Sequence, residues 1–407
     1  MTLKPPLAIT QGDPSGIGPE IVLQCFLAQP SLCEDAVIFG HWGVLERALA
    51  WVDPLQQILL RRITWGPGGL EEALDPGPSG PSGAQGRGGQ GSTLRVKVVH
   101  LEHRSAPSAG DRLDPSLNHH RTIRGDVAEA LQRQSLPEIG RVQALSGEMA
   151  AQSIVRATQA ALLGQVRAVV TAPIHKAALA QAGWPYPGHT EMLQHECARH
   201  LGLNPAQLPV RMMLTHDELT VVLVSIHISL KDAITSLTAQ GVLETLQITH
   251  QALSSSLGRR PRLALSGLNP HGGEGGLMGR EEIDILAPAL TQARAAGLDV
   301  QGPFSPDTVF MRARRSPGHA GEFDAVVALY HDQGLIPIKY LGLDQGVNVT
   351  LGLPVVRTSP DHGTAFDLAG KGQARANSLL AAILVAQAMS FKRGQLATEP
   401  GQGIGGS

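Results

Sequence analysis

The chain has 407 residues, a net charge of −2, 42% hydrophobic, 17% charged and 3% aromatic side chains. That length accommodates two domains with real cores, while the charge balance and scarce aromatics exclude a basic nucleic-acid face and a base-stacking platform. No apolar run of membrane length occurs, MTLKPPLAITQGDPSG lacks a signal-peptide core, and Cys25, Cys33 and Cys197 have no CxxC spacing. A cytoplasmic protein with free thiols, and with no membrane or nucleic-acid partner, is expected.

The first unit reads as a strand at LAIT (7–10), a glycine-rich turn, and a helix from about Pro19, a position that suits proline's missing N–H. AVIFG (36–40) and LRVKVVHL (94–101) are further strands. Between them, residues 66–92 are dense in Gly, Pro and Ser and are expected to form a disordered insertion. A polar stretch at 103–140 holds at most a short helix. Residues 146–163 show helical periodicity, with Met149, Ile154, Ala157 and Leu162 facing inward. RAVVTAPIHK (167–176) is a strand leaving through a proline turn, and Thr190 in GHTE is a candidate helix cap. VRMML and TVVLVSIHI (210–214 and 220–228), LALSGL and AVVALY are strands flanked by helices near 240–256 and 281–296. A β-rich stretch (347–359) and a helix (373–390) close the chain, followed by a loose tail at 396–407. Strands alternating with helices imply an α/β fold with a largely parallel sheet.

Three strand-like runs end in histidine: His227, His271 and His331, the last followed by Asp332. Parallel strands deliver their C-terminal residues to one crevice, and three imidazoles leave a divalent ion one open position. With Asp307 in the turn SPDT, the donor set is mixed N/O without thiolate, which suits Zn, Mn, Co or Mg without choosing among them. LNPHGGEGGLMGREE (268–282) places His271 and Glu274 among glycines that permit close backbone approach. QGDPSGIGPE (11–20) only partly matches a dinucleotide fingerprint, and a tight strand–helix turn explains it as well. Lys176 suits either a phosphate contact or a snorkelling position. His189 and Thr190 follow a glycine on a loop and are candidate ligand contacts. Lys339, Asn348 and Arg357 are cation and amide donors suited to an anionic substrate. The loop from Asp361-His362-Gly363 to Gly370-Lys371-Gly372, placed before a helix, suits a cofactor's phosphates or adenine edge.

Together QGDPSGIGPE, TAPIHK, GHTE, LNPHGGEGG, GREE, DTVF, YHDQGLIPIK, GVNVTLGLP and RTSPDHGTAFDLAGKG resemble the 4-hydroxythreonine-4-phosphate dehydrogenase family of vitamin B6 biosynthesis. The last block also resembles the NAD loop of isopropylmalate and isocitrate dehydrogenases. The resemblance implies a two-domain isocitrate/isopropylmalate dehydrogenase-like fold rather than a Rossmann domain. Its expected first domain is 1–185 plus 340–395, and its second, carrying the metal ligands and the dimer interface, is 186–339. It implies a homodimer whose active sites lie in the interdomain cleft and are shared across the interface. The metal ligands would be His227, His271 and His331, with Asp307 a possible further ligand or catalytic group. Substrate contacts would be His189, Thr190, Lys339, Asn348 and Arg357. The NAD or NADP contacts would be His362, Gly363, Asp367, Gly370 and Lys371, and the base would be Lys339 or a histidine near the metal. The substrate implied is 4-phosphohydroxy-L-threonine, or a related four-carbon phosphate such as threonate 4-phosphate. Relatives acting on aromatic dihydrodiols have less use for Lys339 and Arg357, and acyltransferases of similar fold need no histidine triad.

Overall fold

In the computed structural model the described residues are 4–66, 69–72, 93–101, 125–342 and 345–396. They form a mixed α/β protein that divides into two compact units. The described residues up to Gln207 cluster with His362–Leu380, and those within Leu208–Asp361 cluster with the described residues from Ala381 onward. These boundaries lie later in the chain than 185 and 339, so the β-rich stretch after 346 belongs to the second unit.

The first unit runs β1 (Leu7–Thr10), α1 (Gly18–Ala28), α2 (Leu32–Asp35), β2 (Ala36–Gly40), α3 (Trp42–Val52), β3 (Ile58–Gly66), β4 (Gly69–Glu72), β5 (Leu94–His100), α4 (Gly125–Gln132), α5 (Ala144–Leu162), β6 (Ala168–Thr171), α6 (Lys176–Gln181) and α7 (His189–His200). Its strand order is β6-β1-β2-β5-β3-β4, parallel except for the β3–β4 pair. Every residue of β1, β2 and β6 is buried, as strands covered on both faces require. One face packs Ala157 and Ala160 of α5 onto Ala8, Val37, Phe39 and Val169. Met149, Ile154 and Ala157 are buried as expected, whereas Leu162, in the last turn of α5, is only half-buried.

The expected disordered insertion begins as ordered structure. Gly66 ends β3, and Gly69–Glu72 pairs back on it, with Leu70 and Trp65 packed against the core. The rest of 66–92 lies outside the described residues. Of the polar stretch 103–140, α4 is the short helix expected there, and 102–124 also lies outside the described residues.

The second unit contains β7 (Arg211–Thr215), β8 (Thr220–Leu223), α8 (Leu230–Thr235), α9 (Ala239–Leu257), β9 (Leu263–Ser266), α10 (Ala287–Ala295), β10 (Val300–Phe304), α11 (Val309–Ala313), β11 (Ala325–Ala328), α12 (His331–Tyr340), β12 (Val347–Leu351) and β13 (Arg357–Pro360). The last helix is α13 (Asn377–Leu396). Strand order is β10-β9-β11-β8-β7-β12-β13. The β10–β9–β11–β8 part is parallel, but β7 is antiparallel to both neighbours and β13 is antiparallel to β12. A parallel β7–β8 pair is impossible because the link 216–219 is far too short for a crossover. The helix expected over 281–296 opens with a wider π-type turn at Glu282–Leu286 before α10. The last helix begins at 377 rather than 373 and runs into the expected tail as far as Leu396. The remaining tail lies outside the described residues, among which no helix is long and apolar enough to cross a membrane.

Candidate functional site

Strands β9, β11 and β8 are consecutive neighbours and parallel, so His271, His331 and His227 all leave the same edge of the second unit's sheet. That is the edge where α/β proteins place ligands. His227 and His331 meet: their ring centroids are 5.7 Å apart at an interplanar angle of 47°. The backbone holds them there. Val224 N–H donates to Ala328 O at 2.9 Å, and Ser225 Oγ donates to Leu329 O at 2.8 Å, continuing the β8–β11 pairing toward both histidines. His331 opens α12, and its Nδ1 donates to Asp332 Oδ1 at 2.7 Å. A carboxylate on one ring nitrogen fixes orientation and leaves Nε2 for a metal, the arrangement that metal-ligating imidazoles require.

His271 is held elsewhere. Residues 271–275 are all left-handed, with φ of 52°, 65°, 76°, 42° and 68°, so two non-glycine residues, His271 and Glu274, adopt a conformation that favours glycine. The turn is secured from GREE. Buried Glu282 accepts from Leu268 N–H at 2.7 Å and Asn269 N–H at 2.8 Å, while Asn269 Nδ2 donates to both Glu281 and Glu282. His271 lies within electrostatic reach of Asp307, which follows the neighbouring strand β10. The Ser305 hydroxyl, donating at 2.5 Å, chiefly holds Asp307 below the ordinary carboxylate range, with smaller contributions from a backbone N–H and from the proximity of His271.

Of the expected histidine triad, one chain therefore brings together only His227 and His331. Among the described residues, no group of three or more His, Cys, Asp or Glu side chains gathers closely enough to hold an ion. The His227–His331 pair fits part of a divalent site, since metal–nitrogen bonds of about 2 Å let one ion reach both rings. The third nitrogen is not within reach on this chain.

Of the residues expected to meet an anionic substrate, Lys339 and Arg357 already have partners. Lys339 Nζ pairs with Asp361 Oδ2 at 3.0 Å, and it lies near the far end of α12, about 12 Å along the axis from His331. Arg357 is buried and donates to Thr350 Oγ1 at 3.0 Å. Asn348 is half-buried in β12, opposite Leu214 and Ser359.

In the first unit His189 is the first residue of α7 and Gly188 its cap, so Thr190 is already helical and does not cap. Lys176 is the first residue of α6 and is exposed. In the 362–372 loop, His362, Gly363, Asp367 and Lys371 are exposed. His362 Nδ1 donates to Gly363 O at 3.0 Å, and Lys371 Nζ donates to Asp367 O at 2.6 Å. The loop does not abut a helix start, because residues 373–376 intervene before α13. The Gly370 N–H, expected to face a cofactor, is taken by Glu20.

Two groups with a place in this arrangement escaped the sequence reading. Glu20 is one, and its only signal was being the single charge in the apolar helix GPEIVLQCFLA. Asp13 is the other: fully buried in the turn after β1, it accepts from Ser15 N–H at 2.8 Å and lies near His175, whose ring stacks on Phe366 at 5.0 Å. The glycines around them serve packing. A Cβ at Gly16 would lie 2.7 Å from Thr364 O, and one at Gly18 would lie 2.6 Å from Gln11 O.

Several known proteins are similar to this chain. The model of the PdxA family, pyridoxal phosphate biosynthetic proteins, matches residues 91–386. A 4-hydroxythreonine-4-phosphate dehydrogenase of Beijerinckia indica is 44% identical over 376 residues, covering 92% of each chain. A D-threonate 4-phosphate dehydrogenase of Salmonella typhimurium is 37% identical, over 94% of this chain and 98% of its own. The crystal structure of a 4-hydroxythreonine-4-phosphate dehydrogenase from Klebsiella pneumoniae superposes with a TM-score of 0.70 at 36% identity, covering 95% of this chain and 99% of that one. With its matched family model and relatives of this identity over nearly the whole chain, the protein belongs to the PdxA family of pyridoxal phosphate biosynthetic proteins, and its relatives are named 4-hydroxythreonine-4-phosphate and D-threonate 4-phosphate dehydrogenases.

Proposed function

We propose that the protein is an NAD(P)-dependent, divalent-metal-assisted alcohol dehydrogenase acting on 4-phosphohydroxy-L-threonine. The product is 2-amino-3-oxo-4-phosphooxybutanoate, which loses carbon dioxide to give 3-amino-2-oxopropyl phosphate on the way to pyridoxal phosphate. The observation that carries this reading is the facing pair His227–His331, with His331 oriented by Asp332 at 2.7 Å. His271 of the partner subunit completes the site in a homodimer, which accounts for a histidine built into a strained left-handed turn away from the other two. A divalent ion held by these histidines would supply Lewis-acid chemistry at the substrate alcohol, a bound nicotinamide would accept the hydride from its carbon, and a protein base would take the hydroxyl proton. Asp307, at this sheet edge, is one candidate for the base, its lowered pKa making it a weak one, and Lys339 is the other, which would first have to give up its proton and its pairing with Asp361. Lys339 would supply positive charge, with Asn348, His189 and Thr190 as polar contacts, for the phosphate and carboxylate of the substrate, while Arg357, buried against Thr350, would add its charge from beneath the surface. His362, Gly363, Asp367 and Lys371 form the outward face of the cofactor loop. The fold is of the isocitrate/isopropylmalate dehydrogenase kind, a reading supported by a β1–α1 turn whose glycines are crowded by protein rather than open to a dinucleotide.

A second reading keeps the chemistry and changes the substrate to threonate 4-phosphate, favoured by the Salmonella relative of that name. The two are separated by incubating the protein with NAD, a divalent metal and either compound, and following NADH absorbance. Metal-dependent NADH formation, faster with the amino acid, is expected. Faster turnover of threonate 4-phosphate selects the second reading, and no NADH from either compound contradicts both. His271→Ala is expected to abolish turnover while leaving the fold intact.

A further inference from the structure

The motif Gln11–Glu20 ends in a carboxylate that the proposed chemistry does not use. Glu20 is completely buried in the first turn of α1. Its Oε1 accepts from Gly370 N–H at 2.6 Å and its Oε2 from Gly372 N–H at 2.8 Å. One helical turn on, Gln24 Nε2 donates to Gly372 O at 3.4 Å, and Ile17 N–H donates to Thr364 O at 3.0 Å. Thus α1 and the turn before it grip the loop at both ends. Among the described residues no ion pair includes Glu20, and the two glycine amides are its side-chain partners. Burying a carboxylate without a cation is unfavourable unless hydrogen bonds and a helix N-terminus compensate. An apolar side chain would fill this space without that cost, but it would leave two amide donors of a left-handed turn unpaired. The φ values there are +78° at Gly370 and +65° at Gly372, where a Cβ would lie 2.4 Å from Trp51 O.

We propose that Glu20 is a positioning residue for the nicotinamide cofactor: it clamps Gly370 and Gly372 from behind and so fixes the 362–372 loop in its cofactor-receiving shape. This rests on the dehydrogenase reading above. It also reassigns the loop's chemistry. The amides of Gly370 and Gly372 point inward to a carboxylate that would repel a phosphate, so the cofactor is met by the exposed side, His362, Gly363, Asp367 and Lys371. A preorganised loop binds more tightly because less ordering is left for the ligand to impose.

The test uses the 407-residue chain with Glu20→Ala and Glu20→Gln, the latter keeping one acceptor. NADH binding is titrated by fluorescence, both substrates' kinetic constants are measured, and amide exchange is followed in peptides covering 362–376. For Glu20→Ala, the Kd for NADH and the KM for NAD rise about tenfold or more. The KM for the phosphorylated substrate and kcat at saturating NAD change little, exchange in the loop accelerates, and Glu20→Gln falls between. Faster loop exchange with unchanged NADH affinity overturns the proposal, as does a uniform loss across all constants. Should Glu20→Ala fail to fold, Glu20→Gln decides by the same split. A wild-type protein that binds no NADH overturns the dehydrogenase reading itself, whereas the variants test only the clamp.

Discussion

Asp13 and Asp324 are both carboxylates in turns beside strands, yet their surroundings push them in opposite directions. Burial drives the Asp13 carboxyl up from 3.8 to about 6, against hydrogen bonds from Ser15 and Ser146 and the charge of His175. A folded-state value above the unfolded one means that Asp13's favourable contribution is fully present below 3.8 and is lost as pH rises through about 6. The difference corresponds to roughly 3 kcal/mol. In urea titrations the stability of wild type relative to Asp13→Asn should therefore fall by up to that amount between pH 4 and 7. A constant difference across that range would show that Asp13 titrates normally. Asp324 is also pushed up by burial, but bonds from Arg259 at 2.8 Å and the Arg262 backbone at 2.7 Å outweigh this and hold it well below the carboxylate range. Its contribution is present above the ordinary carboxylate value and disappears in acid. Because Arg259 is half exposed, screening limits the effect. Asp324→Asn is expected to cost about 1 kcal/mol at pH 7 and progressively less below pH 4.

At the scale of elements, the position of α12 matters most, because it begins with His331. Gly334 lets that helix lie directly on the sheet: a Cβ there would sit 2.6 Å from a Leu223 methyl and 2.7 Å from a Val221 methyl. Gly334→Ala should lower stability by about 1–3 kcal/mol through overpacking and displace His331 from His227. Weakened metal binding alongside a reduced melting temperature is the expected pair of readouts, and unchanged values for both would show that α12 has room to spare. Local pattern made much of this legible in advance. The fully buried strands β1, β2 and β6 read as continuous apolar runs, and the histidines at the ends of β8, β9 and β11 stood out because parallel strands share an exit edge. What stayed hidden depends on partners distant in sequence. The long strand β3 is interrupted by Arg61 and Arg62, and only its pairing with β5 reveals it. Glu20 meets Gly370 across most of the chain, and the left-handed turn at 271–275 is held by Glu282. Neither interaction leaves a trace in local composition.

On the scale of the whole molecule, each compact unit carries its own share of the proposed chemistry. The first holds the cofactor loop with its Glu20 clamp and the His189–Thr190 helix start, and the second holds the histidines, Asp307 and the cations. A single chain brings two of the three histidines together, so a complete metal site in the proposed enzyme requires two copies. Complementation between inactive variants tests this most directly. His271→Ala and His331→Ala are purified separately, mixed under conditions that exchange subunits, and assayed for NADH formation. If the partner subunit supplies His271, each mixed dimer contains one intact site and one doubly damaged site. Random exchange makes half the dimers mixed, so activity should recover to about a quarter of wild type. Inactivity that persists after demonstrated subunit exchange would contradict a metal site shared between chains.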